Sequence, residues 1–289
     1  MTTVTVVVHN GFQRVAPPTA NANVLQVAVS ADDLCIVAND RNEVHCSPRG
    51  FAGAPAWRQL KNAVSWISLS GDTLWAIGTD NNQGLVASRL SGAALSTPKA
   101  PVTPSPLRRV SSNASHVCVI AGINNDALCS SIGSELALDE RQRVRTDLKE
   151  VGVARSSLYG ISTNGSIWFA DERTLPTLHE KSTSIAADDA FVCVAEQATR
   201  DVLCIARSID RWHRLKTTLW QLAIEDGTLY GVAPNGTLWS TTLSLGKAVV
   251  GDESGEPTRE VPRDSNSAAA GTTNPTMAPA ASVSGTKTT

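Results

Sequence analysis

Two stretches of this chain, LYGISTNGSIW at residues 158–168 and LYGVAPNGTLW at residues 229–239, are near copies of one another. Each sets an Asn-Gly-Ser/Thr triplet between apolar flanks. The triplets Asn164-Gly165-Ser166 and Asn235-Gly236-Thr237 are formal N-glycosylation acceptors. They are also turn signals, because Asn-Gly is the favoured pair of a type I′ turn, in which both central residues need φ > 0. The β-rich flanks predict a hairpin. With a two-residue Asn-Gly loop, Tyr159 and Trp168 would share one face as diagonal neighbours, and so would Tyr230 and Trp239. The functional reading of such pairs is a stacking platform for a sugar. The plainer reading is packing between repeats.

The twin is one case of a longer series. LCIVA at Leu34, LWAIG at Leu74, VCVIA at Val117, LYGIS at Leu158, VCVAE at Val192 and LYGVA at Leu229 recur at about 40-residue spacing. A period near 40 with alternating apolar residues and short turns fits one four-stranded propeller blade per copy. No segment holds a 3.6-residue period over helical length. The sequence therefore predicts an all-β, six-bladed β-propeller over residues 1–250, with blades near 24–62, 63–106, 107–147, 148–182, 183–217 and 218–250. The last copy is short of an outer strand. The Val- and Thr-rich N-terminus, residues 1–15, is expected to supply it through Val4–Val8 or Phe12–Val15, so that no edge is left open.

A second periodicity lies above the first. WRQLKNAVSWISLSGDTLWAIG from Trp57, RQRVRTDLKEVGVARSSLYGIS from Arg141 and WHRLKTTLWQLAIEDGTLYGVA from Trp212 align without gaps. The intervening copies carry a cysteine pair where these carry aromatics. The larger unit is thus two blades, repeated three times.

All six cysteines fall into pairs of identical spacing, Cys35/Cys46, Cys118/Cys129 and Cys193/Cys204. In a symmetric hairpin each pair faces across adjacent strands, within disulfide range. Zinc needs four ligands, and one hairpin offers two; His45 and His116 do not complete such a set. A catalytic cysteine is expected once, with a histidine, not three times in register. Small buried apolar residues on inner strands are the remaining reading. A leader peptide needs a basic n-region and a longer apolar run than MTTVTVVVHNGF offers. The expected compartment is therefore intracellular and reducing, cytoplasmic or cytoskeletal, and that context favours free thiols over disulfides.

The motifs from Trp57 and Trp212 combine a Trp opening, a Gly/Asp turn, a (V/L)(W/Y)G(V/I)-type strand and a hairpin leading to an aromatic. They resemble tectonin repeats. The resemblance covers roughly residues 24–246, strongly in the aromatic copies and weakly in the cysteine copies; Arg141 departs from the Trp position. It implies a six-bladed propeller, and either a glycan-binding lectin or an intracellular interaction module. No sugar-binding motif is matched, so Trp57, Trp66, Trp212 and Trp220 stand as binding candidates only by being aromatic.

Net charge of -2 with no long basic run argues against a general nucleic-acid binder. No stretch reaches the roughly 20 apolar residues of a membrane span. Phosphate loops, nucleophile elbows and His-Glu-x-x-His are absent, and no cofactor or metal is expected. The ADD turns at 31–33 and 187–189 lack the oxygen spacing of a calcium loop and read as Asx turns. Residues 251–289 are rich in Ala, Ser, Thr, Pro and Gly and cannot bury enough surface to fold alone. The expectation is a non-catalytic scaffold that holds protein partners through its loops and this tail; the alternative is a tectonin-type lectin.

Overall fold

A computed structural model describes residues 3–50, 54–79, 84–91, 106–133, 142–154, 157–170, 175–176, 178, 180–209 and 211–248. Residues 251–289, on which the tail expectation falls, lie outside that set, as does Arg141. The described residues contain no helix.

Strand β1 (Thr3–Val15) comes first and is the outermost strand of the last blade. Blade 1 is β2 (Val24–Val29), β3 (Asp33–Ala38), β4 (Glu43–Pro48) and β5 (Arg58–Lys61). Blade 2 is β6 (Val64–Ser70), β7 (Thr73–Gly78) and β8 (Leu85–Arg89). Blade 3 is β9 (Leu107–Ser112), β10 (His116–Ala121), β11 (Asp126–Ser131) and β12 (Gln142–Arg145). Blade 4 is β13 (Leu148–Val153), β14 (Leu158–Ser162) and β15 (Ile167–Phe169). Blade 5 is β16 (Ser182–Ala187), β17 (Phe191–Glu196), β18 (Asp201–Ala206) and β19 (His213–Thr218). Blade 6 is β20 (Gln221–Glu225), β21 (Thr228–Val232) and β22 (Leu238–Ala248). Each sheet is an antiparallel meander. In blade 6 the order is β20-β21-β22-β1, with Thr3 opposite Ala248 and Val15 opposite Leu238. The N-terminal strand closes the ring, as the short last repeat requires.

The core is distributed rather than central. Six apolar clusters among the described residues each join two neighbouring blades. Cys35 and Cys46 pack on Ile67 and Leu74 of blade 2; Trp75 packs on Leu107 and Val119 of blade 3; Tyr230 packs on Val27 and Ile36 of blade 1. The all-apolar middle strands, such as TLWAIG, are sandwiched on both faces and so lose the alternation of a half-exposed strand.

The cysteines are not the free thiols expected from the sequence. Cys35 is bonded to Cys46, Cys118 to Cys129 and Cys193 to Cys204, and no free cysteine remains. The physical reason is register. Cys35 on β3 stands directly opposite Cys46 on β4, Cys118 on β10 opposite Cys129 on β11, and Cys193 on β17 opposite Cys204 on β18. In each pair the Cα atoms are 4.1 Å apart. That close approach is the spacing of a non-hydrogen-bonded antiparallel pair, which brings the two sulfurs together without moving the backbone. The expectation of free thiols leaned on a reducing compartment, and the hairpin geometry itself never opposed the bond.

The Asn-Gly turns also differ from expectation. Gly165 and Gly236 have positive φ, but Asn164 and Asn235 do not. The Gly165 N–H donates to Ser162 O, and the Gly236 N–H to Ala233 O. The Ser162 N–H donates to Ser166 O, and the Ala233 N–H to Thr237 O. These are type I turns followed by a left-handed glycine bulge, and Pro234 stands where a type I turn favours proline. The extra residue shifts register by one: Tyr159 faces Phe169, and Gly160 faces Trp168. In blade 6, Gly231 faces Trp239. A one-residue slip moves a side chain to the other face. Tyr159 and Trp168 therefore pack in different clusters, toward blade 5 and blade 3 respectively, and form no common platform.

The turn glycines have a second duty. The Gly236 carbonyl accepts the N–H of Val24, and the Gly165 carbonyl accepts that of Ser182, so each turn holds the next blade's inner strand. Asn42, Asn125 and Arg200 carbonyls serve Val64, Leu148 and Leu219 in the same way. A Cβ on Gly236 would collide with Asn23 Oδ1, and one on Gly165 would stand 2.8 Å from Lys181 Cβ.

Candidate functional site at the channel mouth

Six inner strands surround a channel with about 100 Å³ of open space. They align as VLQVAVS (24–30), VSWISLS (64–70), LRRVSSN (107–113), LKEVGVA (148–154), STSIAAD (182–188) and LWQLAIE (219–225). The third position of each row holds Gln26, Trp66, Arg109, Glu150, Ser184 or Gln221.

Four of these six clamp the next blade. Gln221 Oε1 accepts the Val27 N–H at 2.8 Å, and its Nε2 donates to Val27 O at 3.2 Å. Gln26 does the same to Ile67, at 2.9 and 3.3 Å. Glu150 Oε1 accepts from the Ile185 N–H at 3.1 Å and the Ser184 hydroxyl at 2.9 Å, and Ser184 Oγ accepts the Leu222 N–H at 3.2 Å. In blades 2 and 3 the third residue is Trp66 or Arg109, and a serine two residues on takes over the clamp. Ser68 Oγ accepts the Ser112 N–H at 2.9 Å, and Ser111 Oγ accepts the Val153 N–H at 3.1 Å. Every blade joint around the channel thus has a clamp, and Trp66 and Arg109 are the two third-position side chains left without that duty.

Those two meet. The Arg109 guanidinium lies over the Trp66 ring, 3.8 Å from its centroid. Its Nη1 donates to Arg108 O at 2.9 Å, while Nε finds no partner among the described residues. Burial pulls the Arg109 guanidinium below its usual range; the Glu150 charge opposes this, and Arg108 adds to it. Glu150, 6% exposed, is pushed up to about 7 by burial, against the Ile185 N–H, Arg109, the Ser184 hydroxyl and Lys149. Burial also lowers Lys149; Glu150 opposes that shift, and Lys181 adds to it.

The second position of five of the six rows is presented by a bulge. The strand ladder skips Leu25, Ser65, Arg108, Lys149 and Thr183. Trp220 holds the same position in blade 6 and is 38% exposed. A bulge re-aims a side chain out of the pleat. The result is a set of six equivalent positions at the end of the channel where the inner strands begin, with Arg108 and Lys149 on blades 3 and 4, Trp220 and Leu25 on blades 6 and 1, and Ser65 and Thr183 on blades 2 and 5; Arg109 and Trp66 stand beside them.

The other channel end is acidic. Glu225 is pushed up to about 6 by burial and by Asp226, Asp188 and Asp189, with Arg49 opposing. Its charges have internal uses. Arg49 donates to Ser30 O and Glu225 O, and Asp188 accepts the N–H groups of Ala190, Phe191 and Gly227. The 187–189 turn is an Asx turn, as its sequence indicates. Among the described residues no three His, Cys, Asp or Glu side chains converge as a metal site.

The four tryptophan candidates separate into two pairs. Trp57 and Trp212 open outer strands, and their indole N–H groups donate to Ala16 O and Pro176 O at 2.9 Å each. Both tie a blade's outer edge to the chain segment before it. Trp66 and Trp220 stand at the channel mouth. Arg109, Glu150 and the second-position residues other than Trp220 were missed in the sequence, although an alignment of the inner strands alone shows the third position switching from Gln, Glu or Ser to Trp and Arg, with serine appearing two residues later.

No family model matches the chain, and no curated protein matches its sequence. Among solved structures it is similar to the CRINKLY WD40 ectodomain of the Arabidopsis thaliana receptor kinase ACR4, at 16% identity over 74% of this chain and 82% of that one, with a TM-score of 0.48. It is likewise similar to the entire ectodomain of the Physcomitrella patens receptor kinase CR4, at 15% identity over 78% and 74%, with a TM-score of 0.47. At these values the likeness assigns no function to the chain, and the propeller description here stands on the strand pairing itself.

Proposed function

We propose that this chain is a non-catalytic interaction propeller that binds protein partners around the channel mouth and works in an oxidising compartment. The observation that carries the first part is the bulge ring. Six equivalent positions, five of them at bulges, carry Leu25, Ser65, Arg108, Lys149, Thr183 and Trp220, while four of the six residues beside them are committed to clamps. Ser65, Arg108 and Trp220 are exposed and Leu25, Lys149 and Thr183 half-buried, and variation at such equivalent positions on a repeated frame is how a scaffold acquires a specific surface. The tectonin likeness of the aromatic blades fits this reading, since the indoles of Trp57 and Trp212 serve blade joints. That use also removes two of the four aromatics on which a lectin reading drew.

The second part reverses the reducing context expected from the sequence. Three disulfides, Cys35–Cys46, Cys118–Cys129 and Cys193–Cys204, use every cysteine and belong to an oxidising environment. No helix among the described residues is long and apolar enough to cross a membrane.

Photo-crosslinkers placed at positions 65, 108 and 149, and at control positions 72 and 114 on the far turns, test the surface in the native source. Partner adducts at the first set alone are expected. Adducts confined to the control set contradict the reading.

A further inference from the structure

We propose that the channel mouth recognises an acidic peptide segment, one of whose carboxylates docks on Arg109 while a neighbouring apolar side chain lies against Trp220 and Leu25. The inference deepens the interaction reading above and rests on it.

The argument begins with a cation that the fold prepares and leaves without a counter-charge among the described residues. A guanidinium carries five N–H donors in a planar fork. Of those on Arg109, one meets a protein acceptor, Arg108 O, and Nε is buried without any. Trp66 holds the plane from one face at 3.8 Å, so the fork is positioned before a ligand arrives. That is the geometry for bidentate capture of a carboxylate. Glu150, the nearest acid, does not neutralise it: no ion pair joins the two, and Glu150 Oε1 is engaged by Ile185 and Ser184 on blade 5.

Charge around it points the same way. Arg108 and Lys149 flank Arg109 at the bulge positions, with Lys181 beside Lys149. Removing part of their hydration raises the value of an incoming opposite charge. Several acids elsewhere on this side are already engaged. Glu43 lies beside His45 and accepts from Asn39, and Glu180, Glu196 and Asp201 surround Arg214. Trp220 and Leu25 are the apolar members of the ring, so a segment combining acid and apolar residues complements it.

Size selects the form of the ligand. About 100 Å³ is well below the roughly 300–1,000 Å³ of small-molecule pockets. Arg109, Leu25 and Trp220 do not line that space, so a ligand that meets them must lie on the rim. A carboxylate delivered by a peptide meets that limit.

The test uses the full chain and three fluorescein-labelled twelve-residue peptides of Leu alternating with Glu, Lys or Ser, read by anisotropy at low and moderate salt. The Glu peptide is expected to bind at least ten-fold tighter than the other two, with affinity falling as salt rises. Arg109→Gln should weaken it about ten-fold, Lys149→Gln less, and Trp220→Ala should weaken it without changing its salt dependence. Unchanged melting curves show that the variants fold. Equal binding of the Glu and Lys peptides, or Arg109→Gln without effect, overturns the inference. So does tighter binding of a single-stranded oligonucleotide or of phosphatidylserine vesicles than of the Glu peptide. Mouth crosslinks with no acidic preference would leave the interaction reading standing and remove this inference alone. Crosslinks confined to the far turns would remove both.

Discussion

In blades 1, 3 and 5 the middle and third strands carry cysteines at opposed positions, bonded to one another. In blades 2, 4 and 6 the same opposed positions hold Trp75 with Ala87, Tyr159 with Phe169, and Tyr230 with Ser240. The tyrosine and phenylalanine rings meet edge to face at 5.7 Å. In every blade this position faces the next blade, so disulfide and aromatic interfaces alternate around the ring. The two solutions fill a similar space by different means. A disulfide acts within one hairpin and links residues 11 apart, so it limits the unfolded chain locally. An aromatic side chain acts between blades, through the area it buries. Ring integrity should therefore depend more on the aromatic interfaces and the N-terminal closure than on the sulfur bonds.

The largest effect expected under this contrast comes from the closure strand. Deleting residues 1–15 exposes the edge of β22 and removes Val6 and Val15 from two interfaces. A fall in melting temperature on the order of 10–20 °C, seen by circular dichroism, is expected. A truncated chain that melts like the intact one would mean that the strand does not hold the ring. Next come the two kinds of interface. Trp75→Ala should cost about 3–5 kcal/mol in denaturant unfolding. Replacing Cys35 and Cys46 together by Ala should cost about 2–3 kcal/mol, with the loss of hydrogen-exchange protection confined to blade 1 and its contact with blade 2. Equal and global losses from both changes would erase the distinction.

Gly236→Val sharpens the comparison at a turn. It combines a positive φ of 76° with the Asn23 collision and should cost about 2–3 kcal/mol, felt at the joint between blades 6 and 1. Retained stability would show that the joint can shift. The smallest effect is expected at Glu150, the one carboxylate in the clamp ring. Its folded value of about 7 lies above the ordinary 4.5, so the folded state holds the proton more tightly. Stability is untouched below about pH 4.5, falls as pH rises from about 4.5 to about 7, and stays lower above. Gln26 and Gln221 do the same clamping with a neutral amide. Glu150→Gln should therefore match the parent at pH 4 and exceed it by about 1–3 kcal/mol at pH 8. Glu225, with its value near 6, keeps a smaller slope in both proteins. An identical pH profile in the variant would show that Glu150 is not held neutral.

Much of the architecture was legible because a propeller repeats itself. Six copies, the two-blade unit and the missing last strand all follow from comparing the chain with itself. The turn type was not, because Asn-Gly was read as the whole loop. The preceding Pro234 was the available clue in blade 6, and Thr163 offers none in blade 4. Cysteine spacing told that Cys35 faces Cys46, Cys118 faces Cys129 and Cys193 faces Cys204, yet not whether they are joined, since oxidation belongs to the compartment rather than to the hairpin. The Arg109–Trp66 contact was beyond reach for another reason. It joins two blades through a side chain that leans back across the joint, and only the assembled ring brings the two together.

The alternation of sulfur-bonded and aromatic blades rests most directly on the state of six thiols. Purified protein unfolded in guanidinium without reductant, titrated with a thiol reagent and then mapped by mass spectrometry of its peptides, reads that state. The account predicts no titratable thiol and the bonds Cys35–Cys46, Cys118–Cys129 and Cys193–Cys204. Six free thiols in protein from its native source, or bonds that cross between blades, would contradict it.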